Sequence, residues 1–168
     1  DTIYTKAYRS FSALGSGGGL DWNTTDGQVP NKSGFVAQVG CVLANGSLYY
    51  TTSEIQGENL HALGTSNGSE GWSVATESER RQFVHSPVLA GDGETLFVSN
   101  SLGNLVAFDT ASGERAWDLE LEGSAGGLHP IVANGALYVE FYDYDASEPV
   151  VVALAVEERH AELHPSQC

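Results

Sequence analysis

Several groups of residues in this 168-residue chain could do chemistry. The densest is Glu140-Phe-Tyr-Asp143-Tyr-Asp145-Ala-Ser147-Glu148. Asp-x-Asp-x-Ser begins as a calcium loop does, since calcium gathers several hard oxygen ligands. The loop's later glycine and its closing glutamate are missing. Asp143, Asp145 and Glu148 are therefore weak calcium candidates, set against an acidic loop that water alone solvates. Tyr142 and Tyr144 beside them could stack on a sugar or on a partner. Three histidines precede prolines at related positions: His129-Pro130, His164-Pro165, and His85 one place further from Pro87. A shared metal would need them to converge with a defined geometry, which position alone does not establish. Serine, histidine and aspartate are all present, but no Gly-x-Ser-x-Gly elbow frames a nucleophile. Gly15-Ser-Gly-Gly-Gly19 lacks the Lys-Ser/Thr of a phosphate loop and reads as a turn. No residue is assigned a catalytic role, and the chain is expected not to be an enzyme.

Asparagine and charge point to where such a chain would work. Asn23, Asn31, Asn45 and Asn67 each open an Asn-x-Ser/Thr sequon in a polar, glycine-bearing stretch. N-glycosylation on a secretory route is the expectation, beside the plainer reading that these residues form turns. Asp and Glu number 22 against 7 Lys and Arg, for a net charge of −15. Nucleic acid and anionic membranes would repel such a chain, so neither is an expected partner. No stretch of about 18 apolar residues is present to cross a bilayer as a helix. The chain starts at Asp1 and has no methionine, as expected of a processed protein or an excerpt of a longer one.

The elements that would position these residues come from a repeat. Residues 86–121 read SPVLA-GDGE-TLFVSN-SLGN-LVAFDT-ASGE-RAWDLEL: four short apolar segments with glycine turns between them. That is an antiparallel meander. Cys41-Val-Leu-Ala-Asn-Gly-Ser-Leu-Tyr-Tyr and Pro130-Ile-Val-Ala-Asn-Gly-Ala-Leu-Tyr-Val repeat its first half. Their Asn-Gly pairs fit a type I′ hairpin, which needs positive φ at both central residues. The second half recurs by spacing. Ala107 is followed by Gly113 and Trp117, Ala62 by Gly68 and Trp72, and Ala13 by Gly18 and Trp22, the last pair one residue closer. Ala153 leads only to Leu163. Small alanines let sheets approach, and Trp22, Trp72 and Trp117 should pack between them.

This pattern resembles the PQQ-like, or tryptophan-docking, β-propeller repeat, with Ala107-Phe-Asp-Thr-Ala-Ser-Gly-Glu-Arg-Ala-Trp117 its fullest copy. The resemblance runs from about Ile3 to Leu163. It implies an all-β propeller of four-stranded antiparallel blades, about four in one domain over 1–168, with repeats near 1–36, 37–84, 85–127 and 128–168. Quinoprotein dehydrogenases and outer-membrane assembly scaffolds share the repeat. The dehydrogenases use adjacent cysteines and a calcium-bound carboxylate set on eight blades. This chain has no Cys-Cys pair and half the blades, so no cofactor is expected beyond the weak calcium candidates.

The ends admit several geometries. Thr2-Ile-Tyr-Thr matches a second strand, so the first blade lacks its innermost strand. His164-Pro-Ser-Gln-Cys168 begins as an innermost strand does, and pairing beside Ile3 would close a ring of four. The copies could instead be half of a larger ring, or join other chains by strand addition. Cys41 and Cys168 both fall in predicted innermost strands near the axis, where a disulfide is feasible. In a secreted protein it would close a long loop and contribute roughly 4–5 kcal/mol. The function expected is a secreted, non-catalytic binding or structural scaffold that can self-assemble into an extracellular oligomer or filament. The alternatives are a carbohydrate- or ligand-binding propeller and a fragment of a quinoprotein-type dehydrogenase.

Overall fold

The computed structural model describes residues 2–7, 10–24, 40–51, 58–75, 86–99, 104–121 and 130–156. Among them there is no helix, only strands and turns. The first sheet is β1 (Thr2–Ala7), β2 (Ser10–Gly15) and β3 (Leu20–Thr24). The second is β4 (Cys41–Ala44), β5 (Ser47–Thr51), β6 (Glu58–Gly64) and β7 (Glu70–Ala75). The third is β8 (Val88–Leu89), β9 (Thr95–Ser99), β10 (Asn104–Asp109) and β11 (Arg115–Glu120). The fourth is β12 (Ile131–Ala133), β13 (Ala136–Asp143) and β14 (Glu148–Ala155). Each is an antiparallel meander in chain order. The strand β8 lies beside both β4 and β12, which puts the first strands of blades two, three and four side by side, as around a propeller axis.

Local chemistry explains the hairpins. Asn45 and Gly46 have φ of 50° and 74°, and Asn134 and Gly135 have 51° and 73°. These are the left-handed conformations of a type I′ turn, which matches the twist of the paired strands. The first blade lacks an innermost strand among the described residues, as its sequence implies. The fourth departs from expectation. Its acidic stretch is not an enlarged loop, because β13 and β14 pair all the way from Ala136↔Ala155 to Asp143↔Glu148. Only Tyr144 to Ser147 remain for the turn.

The alanine spacing becomes register. Ala13, Ala62 and Ala107 lie opposite Tyr4, Tyr49 and Phe97 on one side and opposite Trp22, Trp72 and Trp117 on the other. In each of these three blades the register slips just beyond the alanine. Two residues of the outer strand then oppose one, and such a bulge re-aims the side chain beside it, here the tryptophan. The first turn is one residue shorter. Gly15 N–H bonds to Gly19 O, where Gly64 bonds to Ser69 O and Asp109 to Glu114 O. This accounts for the closer Gly18 and Trp22.

Three hydrophobic cores lie between the four sheets. Phe11, Leu48, Tyr50 and Leu63 join blades one and two. Tyr49, Leu60, Ala62, Leu96, Val98, Val106 and Phe108 join blades two and three. Phe97, Leu105, Ala107, Leu137 and Val139 join blades three and four. Each buried Val, Leu or Phe side chain among them contributes roughly 1.5–3 kcal/mol. Among the described residues no core joins blade four to blade one. The segment 164–168 that would close a ring lies outside the described residues.

Candidate functional site

Each blade has two unlike faces. The forward face carries the alanine, the aromatic opposite it and the tryptophan. The rear face carries the apolar residues between them. In both junctions where the partner turn is described, the forward face docks on the next blade in the same way. The Trp22 indole N–H donates to the Thr65 carbonyl at 2.7 Å, and the Trp72 indole N–H donates to the Thr110 carbonyl at 3.0 Å. Tyr49 adds its hydroxyl to the Thr110 carbonyl at 3.1 Å. The rings Tyr4–Trp22, Tyr49–Trp72 and Phe97–Trp117 sit tilted, with centroids 6.0, 5.7 and 5.7 Å apart, a favourable aromatic geometry.

The indole rests on a glycine of the next blade. A Cβ on Gly68 would lie 2.5 Å from Trp22 Cε3, and one on Gly113 would lie 2.6 Å from Trp72 Cδ2. Both glycines also have positive φ, 67° and 73°, which other residues adopt only with strain. Gly68 and Gly113 are buried beneath the rings. The sequence places alanine, glycine and tryptophan in one repeat. The structure shows that the glycine of a repeat receives the tryptophan of the repeat before it. Trp117 extends the series, packing against the core that joins blades three and four.

The turns differ from junction to junction. The Asn45 side-chain N–H donates to Gly93 O at 3.0 Å, bridging blades two and three. At the matching point between blades three and four, Asp92 turns back to accept the Glu94 N–H at 2.8 Å. A cavity of about 340 Å³, lined by Asp92, Asn134, Gly135 and Val156 among others, remains there. In the outer turn of blade three, Asp109 accepts the N–H groups of Ala111 and Ser112 and the Ser112 hydroxyl. These bonds, led by the Ser112 amide, hold its carboxyl below the ordinary value.

The candidate site residues fall as follows. Asp143, Asp145 and Glu148 are not gathered into one cluster of ligands. Among the described residues no three His, Cys, Asp or Glu side chains come together as metal ligands. Asp143 instead caps its turn, accepting the N–H groups of Asp145 at 2.9 Å and Ala146 at 3.0 Å. Tyr142 and Tyr144 stand exposed in an edge-on pair, 5.0 Å between centroids. Asn45 and Asn67 are exposed at turns, as expected. Asn23 is exposed too, but on strand β3, where its Oδ1 accepts the Ser12 hydroxyl at 3.2 Å. Cys41 is exposed on β4. Asn31, His85, His129, Leu163, His164 and Cys168 lie outside the described residues. Among those described, no helix is long and apolar enough to cross a membrane.

Comparison with known proteins agrees with this geometry. A family model described as outer membrane protein assembly factor BamB matches residues 56–160. The chain belongs to this PQQ-like β-propeller family. No curated protein matches it. Among solved structures, BamB from Moraxella catarrhalis is 18% identical with a TM-score of 0.61, covering 92% of this chain and 46% of that one. A quinohemoprotein alcohol dehydrogenase from Pseudomonas putida HK5 is 16% identical with a TM-score of 0.64, covering 92% and 31%. Sqt1 from Saccharomyces cerevisiae is 11% identical with a TM-score of 0.66, covering 89% and 39%. Such likenesses show the propeller fold, and the chain spans less than half the length of each. PQQ-like propellers thus serve both an assembly factor and redox enzymes.

Proposed function

We propose that this chain is a secreted, non-catalytic scaffold that binds other proteins through the end faces of its blade arc, with self-association into an extracellular oligomer as one form of that binding. The observation that carries the reading is the state of those faces. Tyr138 and Ala153 pair on blade four as Tyr49 and Ala62 pair on blade two. Yet Tyr138 and Ala153 are exposed, together with Ile131 and Val151. A contiguous apolar sheet face of this kind is characteristic of an interaction surface. The family model's description as an assembly factor supports protein binding as the use. The acidic charge and the exposed sequon residues Asn23, Asn45 and Asn67 suit a glycosylated protein outside the cell.

Light scattering over a range of concentrations, with negative-stain imaging of the particles, tests self-association. Affinity capture with the chain as bait, followed by identification of bound proteins, tests for other partners. A monomer at high concentration that also captures nothing would defeat the reading. A carbohydrate-binding propeller remains the second reading, because Tyr142 and Tyr144 form an exposed aromatic pair. A glycan array separates it, with binding lost in Tyr144→Ala. The described residues supply no set of metal ligands for a quinoprotein-type enzyme. Dye reduction with added quinone, calcium and an alcohol would revive that alternative.

A further inference from the structure

The core between blades one and two holds a histidine where the two other junctions hold valine. From this we infer that the junction is a pH-sensitive joint: a proton taken up by His61 loosens blade one from blade two and leaves the other two junctions as they are. The inference goes beyond the scaffold reading and does not rest on it.

The register sets the comparison. Next to the pairs of alanine and aromatic come Tyr50↔His61 in blade two, Val98↔Val106 in blade three and Val139↔Val152 in blade four. Strand alternation turns these residues to the rear face, toward the preceding blade. Val98 and Val106 help to close the junction of blades two and three. His61 occupies the same position and is 0% exposed. Its ring stacks on Tyr50, with centroids 5.0 Å apart and 17° between the planes. Tyr50 in turn packs on Phe11 of blade one at 4.5 Å. His61 is thus part of the contact that holds blades one and two together.

Few ionisable groups surround it. The nearest is Glu70, whose Oε2 lies 4.0 Å from His61 Nδ1, beyond hydrogen-bonding distance. The other oxygen of that carboxylate accepts the Ser73 hydroxyl at 2.6 Å. Tyr50 lies on β5, Cys41 stands opposite it on β4, and Glu58 is on the strand of His61 itself. On blade one, β2 carries no ionisable residue, β1 carries Tyr4 and Lys6, and β3 carries Asp21. Tyr4 donates its hydroxyl to the Thr65 carbonyl at 3.5 Å, and Asp21 is exposed.

These surroundings give the sign. An imidazole in water takes up a proton near pH 6.5. In the closed junction that proton would place a charge among Phe11, Leu48, Tyr50 and Leu63. A buried charge is tolerated only beside a well-placed, hydrogen-bonded counter-ion. Glu70 can become one only if it or the imidazole shifts, which disturbs the bond to Ser73 or the stack on Tyr50. The open junction, where His61 meets water, therefore binds the proton more readily than the closed one. The contribution of His61 to the junction is full above about pH 6.5 and declines as pH falls below it. Among the buried core residues of the other two junctions only Tyr49 is ionisable. A tyrosine keeps its proton until about pH 10, so those junctions do not respond.

The test reads two protons in one sample. The Trp22 indole N–H, bonded to the Thr65 carbonyl, reports on blades one and two, and the Trp72 indole N–H, bonded to the Thr110 carbonyl, reports on blades two and three. Their protection from hydrogen exchange is followed by NMR, and the ratio of the two cancels the intrinsic pH dependence of indole exchange. One proton linked to opening should lower the ratio of Trp22 to Trp72 protection about tenfold between about pH 7.5 and about pH 5.5. His61→Val should abolish that change, and Glu70→Gln should preserve it. A ratio that stays constant or rises on acidification in the natural chain overturns the inference. So does a fall that survives His61→Val or vanishes with Glu70→Gln, since another group then carries the proton. Should His61→Val fail to fold, the His61 ring resonance titrated in the natural chain decides. A midpoint that coincides with the loss of Trp22 protection supports the joint. A ring that titrates while Trp22 protection stays unmoved overturns it.

Discussion

At the junction of blades two and three, Leu96 and Tyr49 are sealed from solvent. Their register-mates at the ends of the arc, Ile3 on blade one and Tyr138 on blade four, are 59% and 38% exposed. The strands, the alanine pairing and the residue types are nearly the same in both places. What differs is whether another blade stands against the face. A blade of this fold is therefore not self-sufficient: its apolar face is buried by its neighbour, as in repeat proteins generally. The tryptophan-on-glycine contact locks the inner junctions in place.

The comparison can be broken first at the lock. Trp72→Ala removes the ring that covers Gly113 and the bond to the Thr110 carbonyl. A loss of about 3–4 kcal/mol is expected, read as a lowered urea midpoint at unchanged slope. The next effect is a contrast between two glycines. Gly113→Ala forces a Cβ into the Trp72 ring at a positive φ, and a cost of roughly 2–3 kcal/mol is expected. Gly18→Ala in the natural chain meets only the φ penalty, about 1 kcal/mol. Equal costs at the two positions would show that backbone conformation alone governs the site. Tyr49→Phe is smaller, about 1 kcal/mol, because it deletes one hydroxyl bond and leaves the packing intact. Tyr138→Ser at the free end should change stability by less than about 0.5 kcal/mol while weakening any self-association seen by scattering.

The smallest expected effect is electrostatic. The Asp109 carboxyl titrates below its ordinary value of 3.8 because its ionised form accepts the Ser112 and Ala111 bonds. Its stabilising contribution is complete above that ordinary value. It fades as pH falls from there through the lowered folded-state value. Urea midpoints of the natural chain should therefore fall slightly over that acidic range, and those of Asp109→Asn should fall less. The group lies at the surface, so the difference is small.

Much of this was legible in the chain itself. Asn45-Gly46 and Asn134-Gly135 announced their hairpins through backbone preference alone. The intervals from Ala62 to Gly68 and Trp72 marked a strand, a turn and an outer strand, since each depends only on neighbours in sequence. The closer spacing after Ala13 found its cause only in the structure, in a turn one residue shorter. The acidic run after Glu140 misled because composition marks a stretch as polar without saying how far strand pairing extends. Asp143 and Glu148 proved to be ladder partners, with Asp143 capping a tight turn.

By itself, then, the sequence determined the local units: antiparallel meanders, their hairpins and a propeller-type repeat. Periodicity and turn chemistry are properties of short stretches, so they can be read one stretch at a time. Only the tertiary structure decided which blade receives which tryptophan, which glycines are sealed beneath an indole, and that Gly18, Ile3 and Tyr138 stand uncovered. Burial belongs to a pair of faces, and no repeat read alone contains the face that will cover it.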